Sequence, residues 1–303
     1  MRCIPSPSHE CTLADQRVDL DKAWRSAIPL PCNRVLSEHL VSTTKKRALL
    51  IGVRYRGLKW RRSDVPMDLH GTHNDVECWK YALMECGYLE KDIRILWDRD
   101  DVHPLSNDYP NRKNILREMR ALTAGVQDYQ RRFLAFCGHR QGVAPDGSDS
   151  AILGADTQNP ISDADLKICL LDPLTKLSSL TMVFDCCRVG NMFGVKWKVD
   201  ERRLLRPNPI NIRQMDSLFA TGRVLCVGAC LGNQVAHELT LNPSGRVHGA
   251  LSYFMTRQLH DQPGGFGLRA FLQETNGHPQ LQAYKQQVIV TCTDVVHKPW
   301  FFP

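Results

Sequence analysis

The run Leu180-Thr181-Met182-Val183-Phe184-Asp185-Cys186-Cys187-Arg188-Val189-Gly190 constrains the fold of this chain more than any other stretch. An uncharged, mostly apolar segment stops abruptly at an acid, two thiols and a glycine. Short apolar runs bounded by turn signals read as strands buried in a parallel sheet. In open α/β sheets, chemistry gathers where the strands end at their carboxyl edge. The run therefore delivers a carboxylate and a cysteine to the place where a site forms. Phe133-Leu134-Ala135-Phe136-Cys137-Gly138-His139 has the same shape and ends in a histidine. The two ends are separated by about fifty residues, room for one crossover between neighbouring parallel strands.

The rest of the chain repeats this grammar. Arg47–Val53 and Ile93–Trp97 read as strands. Between them a helix opens at His73-Asn74-Asp75, carries Val76, Trp79, Leu83 and Cys86, and stops at Gly87. Asn111 caps a second helix with Ile115, Leu116, Met119 and Leu122 on one face. Ser162-Asp163-Ala164-Asp165 starts a third with a capping-box pattern. After residue 222 a strand (Arg223–Ala229), a helix (Val247–Leu259), a helix around Leu268–Glu274 and a last strand (Gln287–Thr293) follow. Alternating strands and helices imply an α/β fold with a mainly parallel central sheet of about six strands and helices on both faces. Residues 1–44 carry Pro5, Pro7, Pro29 and Pro31 and little periodicity, and read as a partly disordered N-terminal extension. Residues 45–303 read as one domain: a part spanning 45–190, a linker over 191–222 rich in Arg, Pro and Asn, and a smaller part over 223–303.

Composition narrows the class. No apolar run reaches the roughly 18 residues of a membrane span, and Met1-Arg2-Cys3-Ile4-Pro5 shows no secretory h-region. The 12 cysteines have no repeated spacing and read as reduced thiols of a cytosolic or nuclear protein, with the cytoplasm as the expected location. Cys226 and Cys230 lack a second ligand pair nearby and are not read as a zinc site. The net charge of +7 is partly concentrated in Arg54, Arg56, Lys59, Arg61 and Arg62, with Tyr55 and Trp60 interleaved. This stretch reads as a solvated loop after a strand rather than a nucleic-acid site.

Taken in order, the motifs resemble the metacaspases, caspase-fold cysteine peptidases of fungi, plants and protists. The resemblance runs from about Lys45 to the C-terminus. Gly71-Thr72-His73-Asn74-Asp75, Cys137-Gly138-His139 and Asp185-Cys186-Cys187-Arg188-Val189-Gly190 carry it, with Gly228-Ala229-Cys230-Leu231-Gly232-Asn233-Gln234 and Gly249-Ala250-Leu251-Ser252-Tyr253. The fifty-residue interval matches that between the caspase histidine and cysteine. The resemblance implies a caspase-like fold and a cysteine endopeptidase. It makes Cys187 the nucleophile and His139 the general base and acid. Asp75 and Asp185, with Cys137, line a pocket for Arg or Lys. No cofactor is required for this chemistry, and the implied partners are protein or peptide substrates met by a monomer, without nucleic acid or membrane.

Departures from the pattern set further expectations. Arg140 replaces a glycine whose backbone N–H, with that of Cys187, forms the oxyanion hole in the family. If that turn needs a positive φ, a side chain there is strained. The alternative is then a catalytically weak or inactive scaffold that works by binding proteins. Calcium is an expected activator in part of the family, with Asp146, Asp149 and Asp163 as candidate ligands, although Ser150 and Ser162 stand where acids are usual. Self-processing in the linker is expected after Arg202 or Arg203, since Pro207 makes the bond after Arg206 a poor substrate.

Overall fold

Along β1 (Lys46–Gly52), Leu49 and Ile51 enter one core and Ala48 and Leu50 another, and all four are buried. A strand covered on both faces belongs inside a parallel sheet flanked by helices. The structure, a computed structural model, describes residues 45–61, 63–142, 150–194, 197–199, 206–207, 222–232, 234–241, 243–293 and 300–301. The expected extension over 1–44 lies outside them.

After β1 come α1 (Thr72–Glu85), β2 (Ile93–Trp97), α2 (Arg112–Thr123) and β3 (Arg131–Cys137). A small three-stranded sheet of β4 (Arg140–Gly142), β5 (Ser150–Ile152) and β6 (Ile161–Ser162) leads into α3 (Asp163–Leu166) and then β7 (Ser179–Asp185). Next are β8 (Trp197–Val199), β9 (Arg206–Pro207), β10 (Arg223–Gly228), and a hairpin of β11 (Glu238–Leu241) and β12 (Arg246–Gly249). The chain continues through α4 (Ala250–Asp261), β13 (Phe266–Gly267), α5 (Leu268–Gly277), α6 (Pro279–Ala283), β14 (Ile289–Cys292) and β15 (Trp300–Phe301).

The main sheet has the order β2-β1-β3-β7-β10-β14-β8-β9. The first five strands are parallel, and β14, β8 and β9 are each antiparallel to the preceding strand in that order. Six strands, β2 to β14, form the expected mainly parallel sheet. β8 and β9 extend its edge, so stretches read from sequence as linker contribute two short strands. Helices α2 and α3 cover one face, with Ile115, Leu116, Met119, Leu122 and Leu166 in its core. α1 and α4 cover the other with Val76, Trp79, Leu83, Leu251, Met255 and Leu259. Each such fully buried aliphatic side chain contributes about 1.5–3 kcal/mol.

The local signals act as expected at several ends. The Asn111 side chain accepts the Asn114 N–H at the start of α2, Ser162 and Asp165 form the capping box of α3, and Gly87 leaves α1 at φ +84°. One expectation needs correcting. Val247–Gly249 is not helical: Val247 pairs with Thr240 across the hairpin, and the helix starts at Ala250, where the apolar periodicity also starts. Among the described residues, no helix is long and apolar enough to cross a membrane.

Candidate active site

Period-2 alternation decides which side chains meet. Phe133, Ala135 and Cys137 of β3 enter the core under α1 and α4, as does Val183 of β7. Met182, Phe184 and Cys186 enter the opposite core. The strands are in parallel register with Cys137 opposite Asp185, and the Gly138 N–H donates to the Asp185 carbonyl at 3.3 Å. His139 and Cys187 each stand two residues beyond that pair. Both leave the carboxyl edge side by side, on strands about 4.8 Å apart. This edge adjoins the point where the strand order reverses, because β1 is flanked by β2 and β3.

The His139 ring is held from several sides. Its Nε2 lies 2.7 Å from the Met67 carbonyl, which can only accept, so Nε2 carries the proton. When the ring is neutral, the lone pair is therefore on Nδ1. The His139 N–H donates to the Tyr55 hydroxyl at 2.9 Å, and that hydroxyl donates to the Leu153 carbonyl at 2.7 Å. Tyr55 and Trp60 pack against the ring in tilted contacts, with centroids 4.7 and 4.8 Å away. Burial lowers the His139 pKa against the opposing effect of the Met67 bond, so the imidazole stays neutral below its usual range. The basic stretch that supplies Tyr55 and Trp60 is partly charge-paired: Arg56 with Asp100 at 2.6 Å, Lys59 with Asp64 at 3.0 Å.

The two adjacent thiols differ sharply. Cys186 is 2% exposed, and burial pushes its pKa well up. Cys187 is half-buried, and its Sγ accepts the Ala236 N–H at 3.4 Å. Arg188, directly after it, has φ +60°, a conformation that costs a residue bearing a Cβ about 1–2 kcal/mol. Its N–H donates to Cys230 Sγ at 3.3 Å.

The three expected pocket residues come together. Gly249 separates two carboxylates: an added Cβ there would collide with the Asp185 carboxylate and stand 2.9 Å from Asp75 Oδ2. Asp75 Oδ2 accepts the Gly249 N–H at 2.9 Å, Asp185 Oδ2 accepts the Ser252 N–H at 2.8 Å, and Cys137 Sγ lies 3.5 Å from Ser252 Oγ. His248 was not foreseen. Its Nδ1 is 3.0 Å from Asp75 Oδ1. Burial raises the Asp75 pKa well above the carboxylate range and pulls His248 down to about 4. Burial thus disfavours the charged form of both partners. Asp185 is pushed up to about 7 by burial and then by the neighbouring Asp75. Asp75 is 0% exposed and Asp185 8%, so Asp185 is the carboxylate nearer to anything entering from outside.

A prediction follows from Asp185. A carboxyl raised in the folded state binds its proton more tightly there than in the unfolded chain. Its contribution to stability falls as pH rises from about 4 to about 7. The melting temperature of wild type minus that of Asp185→Asn should therefore decline across this window. A difference flat in pH, measured by scanning fluorimetry, would contradict the assignment.

Arg140 departs from expectation. It opens β4 and is not among the residues with positive φ, so it carries no left-handed strain. It faces Ile152 in the antiparallel β4–β5 pair, and the Leu153 N–H donates to the His139 carbonyl. This places Arg140 at a non-hydrogen-bonded position, with its N–H directed away from β5. Its side chain is 2% exposed; Nη2 binds both Asp163 oxygens at 2.7 and 2.6 Å, and Nη1 donates to the Arg188 carbonyl. Asp163, expected as a calcium ligand, thus holds a guanidinium. Asp146, Asp149, Arg202 and Arg203 lie outside the described residues. Among the described residues no three His, Cys, Asp or Glu are grouped to hold a metal.

The Met67 carbonyl, the Tyr55 hydroxyl and the Ala236 N–H are likewise contacts that the sequence did not announce. Tyr55 and Ala236 lie close in sequence to the strand end of β1 and the Gly228–Gln234 motif, a positional signal. The Met67 carbonyl has none, because any residue supplies one.

Comparison with known proteins fits this geometry. Residues 46–196 match the family model described as metacaspase, peptidase C14 domain. Metacaspase-1B of Aspergillus niger is 33% identical over 188 residues, 59% of this chain and 41% of that protein. Metacaspase-1A of Neurospora crassa is 32% identical over 174 residues, 54% of this chain and 36% of its own length. The chain thus spans less than half the length of these relatives. The crystal structure of a Geobacter sulfurreducens protein superposes with a TM-score of 0.55 at 15% identity, over 82% of this chain and 93% of that one, and supports the fold alone. The matched segment is the one that builds β1, β3 and β7 and presents His139 and Cys187 at their ends, and through it the chain belongs to the metacaspase family of C14 peptidase domains.

Proposed function

We propose that this chain is a cysteine endopeptidase that cleaves after Arg or Lys, with Cys187 as nucleophile and His139 as base. The observation that carries the proposal is the β3–β7 register, which sets the two residues at neighbouring strand ends with His139 Nδ1 left to receive a proton. Cys187 Sγ attacks the substrate carbonyl carbon while its proton passes to Nδ1. The carbonyl oxygen becomes an oxyanion received by the N–H groups of Arg140 and Cys187. One such donor is worth about 10²–10³ in rate. The C–N bond then breaks and His139 returns the proton to the departing amine. A water, deprotonated by His139, hydrolyses the thioester and restores the thiol. General acid–base transfer of this kind contributes about 10²–10⁴.

The side chain before the cleaved bond is placed in the Asp185–Asp75–Cys137 cluster. A buried carboxylate there selects a cation, because leaving it unpaired costs about 3–5 kcal/mol. Fluorogenic peptides ending in Arg, Lys or Asp test this directly. Turnover after Arg or Lys and none after Asp is expected; preference for Asp would overturn the pocket assignment.

Self-processing is expected after Arg202 or Arg203. Mass spectrometry of active protein should find fragments ending there, absent from Cys187→Ala. Fully active protein that stays intact would exclude processing without touching the dyad.

A further inference from the structure

The turn that carries Cys187 is held by contacts that its own sequence does not supply. Arg188 adopts φ +60° although its side chain is exposed, so the strained backbone is fixed from outside. Two partners hold it: Cys230 Sγ receives its N–H at 3.3 Å, and Arg140 Nη1 donates to its carbonyl. Arg140 is itself anchored, with Nη2 on both oxygens of Asp163 at the start of α3. The guanidinium therefore joins three segments: the strand directly after His139, the start of α3, and the turn directly after Cys187. A planar fork can bind a carboxylate with one arm and a carbonyl with the other, which a lysine point charge cannot.

We propose that Arg140 is a positioning residue for the nucleophile: its buried guanidinium, braced by Asp163, fixes the peptide after Cys187 and so sets Cys187 relative to His139. This rests on the reading of Cys187 as the nucleophile. The residue that looks like a defect beside the histidine becomes the tie between the two halves of the dyad. Its backbone N–H and its side chain then serve the same step from two directions.

The test uses Arg140→Ala, Arg140→Lys and Asp163→Asn in the full chain, each checked for folding by circular dichroism. Two readouts are taken: kcat and KM on an Arg peptide, and the rate at which iodoacetamide alkylates Cys187, located by peptide mapping. Alkylation requires no substrate pocket, so it decides the proposal even if no peptide is cleaved and the proposed function fails. For Arg140→Ala, kcat should fall about 10²-fold, the scale of one misplaced oxyanion donor, with KM changing less than about threefold. Cys187 alkylation should slow at least about fivefold as the thiol loses its alignment with the base. Added methylguanidinium should restore about tenfold of the lost kcat in Arg140→Ala, and Arg140→Lys should be little better than Arg140→Ala. If Arg140→Ala does not fold, Asp163→Asn, which keeps the arginine but removes its brace, should show the same pattern with smaller size. Wild-type kcat and alkylation rate in a folded variant would overturn the proposal. A fall in melting temperature matched by activity that methylguanidinium does not recover would overturn it too.

Discussion

Cys187→Ala should lose peptidase activity by about 10⁴–10⁶, the scale on which removing a nucleophile acts in a catalytic unit, while Cys186→Ala keeps activity within about tenfold. The two thiols are adjacent in sequence, yet strand alternation sends them to different places. Cys186 lies in the core under α2 with Met182 and Phe184, and burial raises its pKa so far that no thiolate forms near neutral pH. Its loss should cost about 1 kcal/mol of stability, a typical value for a single substitution. Cys187, half-buried beyond the strand end, meets the Ala236 N–H. Peptide turnover and thermal melting of the two variants separate these roles. Equal loss in both, or activity surviving in Cys187→Ala, would remove Cys187 from the reaction.

Asp185→Asn should lower kcat/KM on Arg peptides by about 10²–10⁴, following the 3–5 kcal/mol attached to a broken buried ion pair. Asp75→Asn should cost less, about tenfold on the scale of one lost hydrogen bond to a charged group. The two carboxylates are not equivalent. Asp75 is 0% exposed and its oxygens are engaged by His248 Nδ1 and the Gly249 N–H. Asp185 is nearer the outside and carries the charge a substrate cation would meet. Because Asp185 titrates near 7, KM for Arg peptides should rise as pH falls below that value. The acid limb of kcat should lie lower, below the usual histidine range, since burial depresses His139. Steady-state kinetics from pH 5 to 8 checks both limbs, as an order-of-magnitude expectation of about one decade per pH unit below each pKa. A KM independent of pH, or equal losses in the two Asn variants, would contradict the unequal roles.

How much of this is legible in the sequence depends on which physical signal each feature leaves. Apolar runs ending at Gly-His and Asp-Cys-Cys determined β3, β7 and the presence of a histidine and a cysteine at one sheet edge, because burial on both faces demands continuous apolar side chains. The caps at Asn111 and Ser162 and the stop at Gly87 were equally readable, since they answer to backbone groups only a few residues away. The strands at 197–199 and 206–207 left no periodicity, being two or three residues long at an edge. Helix over 247–249 was expected from neighbouring apolar residues, but pairing with β11 decides those positions, and a partner strand is invisible in a local window. The tertiary structure alone decided that Met67 fixes the His139 tautomer, that His248 sits on Asp75, and that the Arg140 guanidinium spans Asp163 and Arg188. In each case the deciding contact joins segments far apart in the chain, and in two of them the partner is a backbone carbonyl, a group every residue has and no sequence can single out.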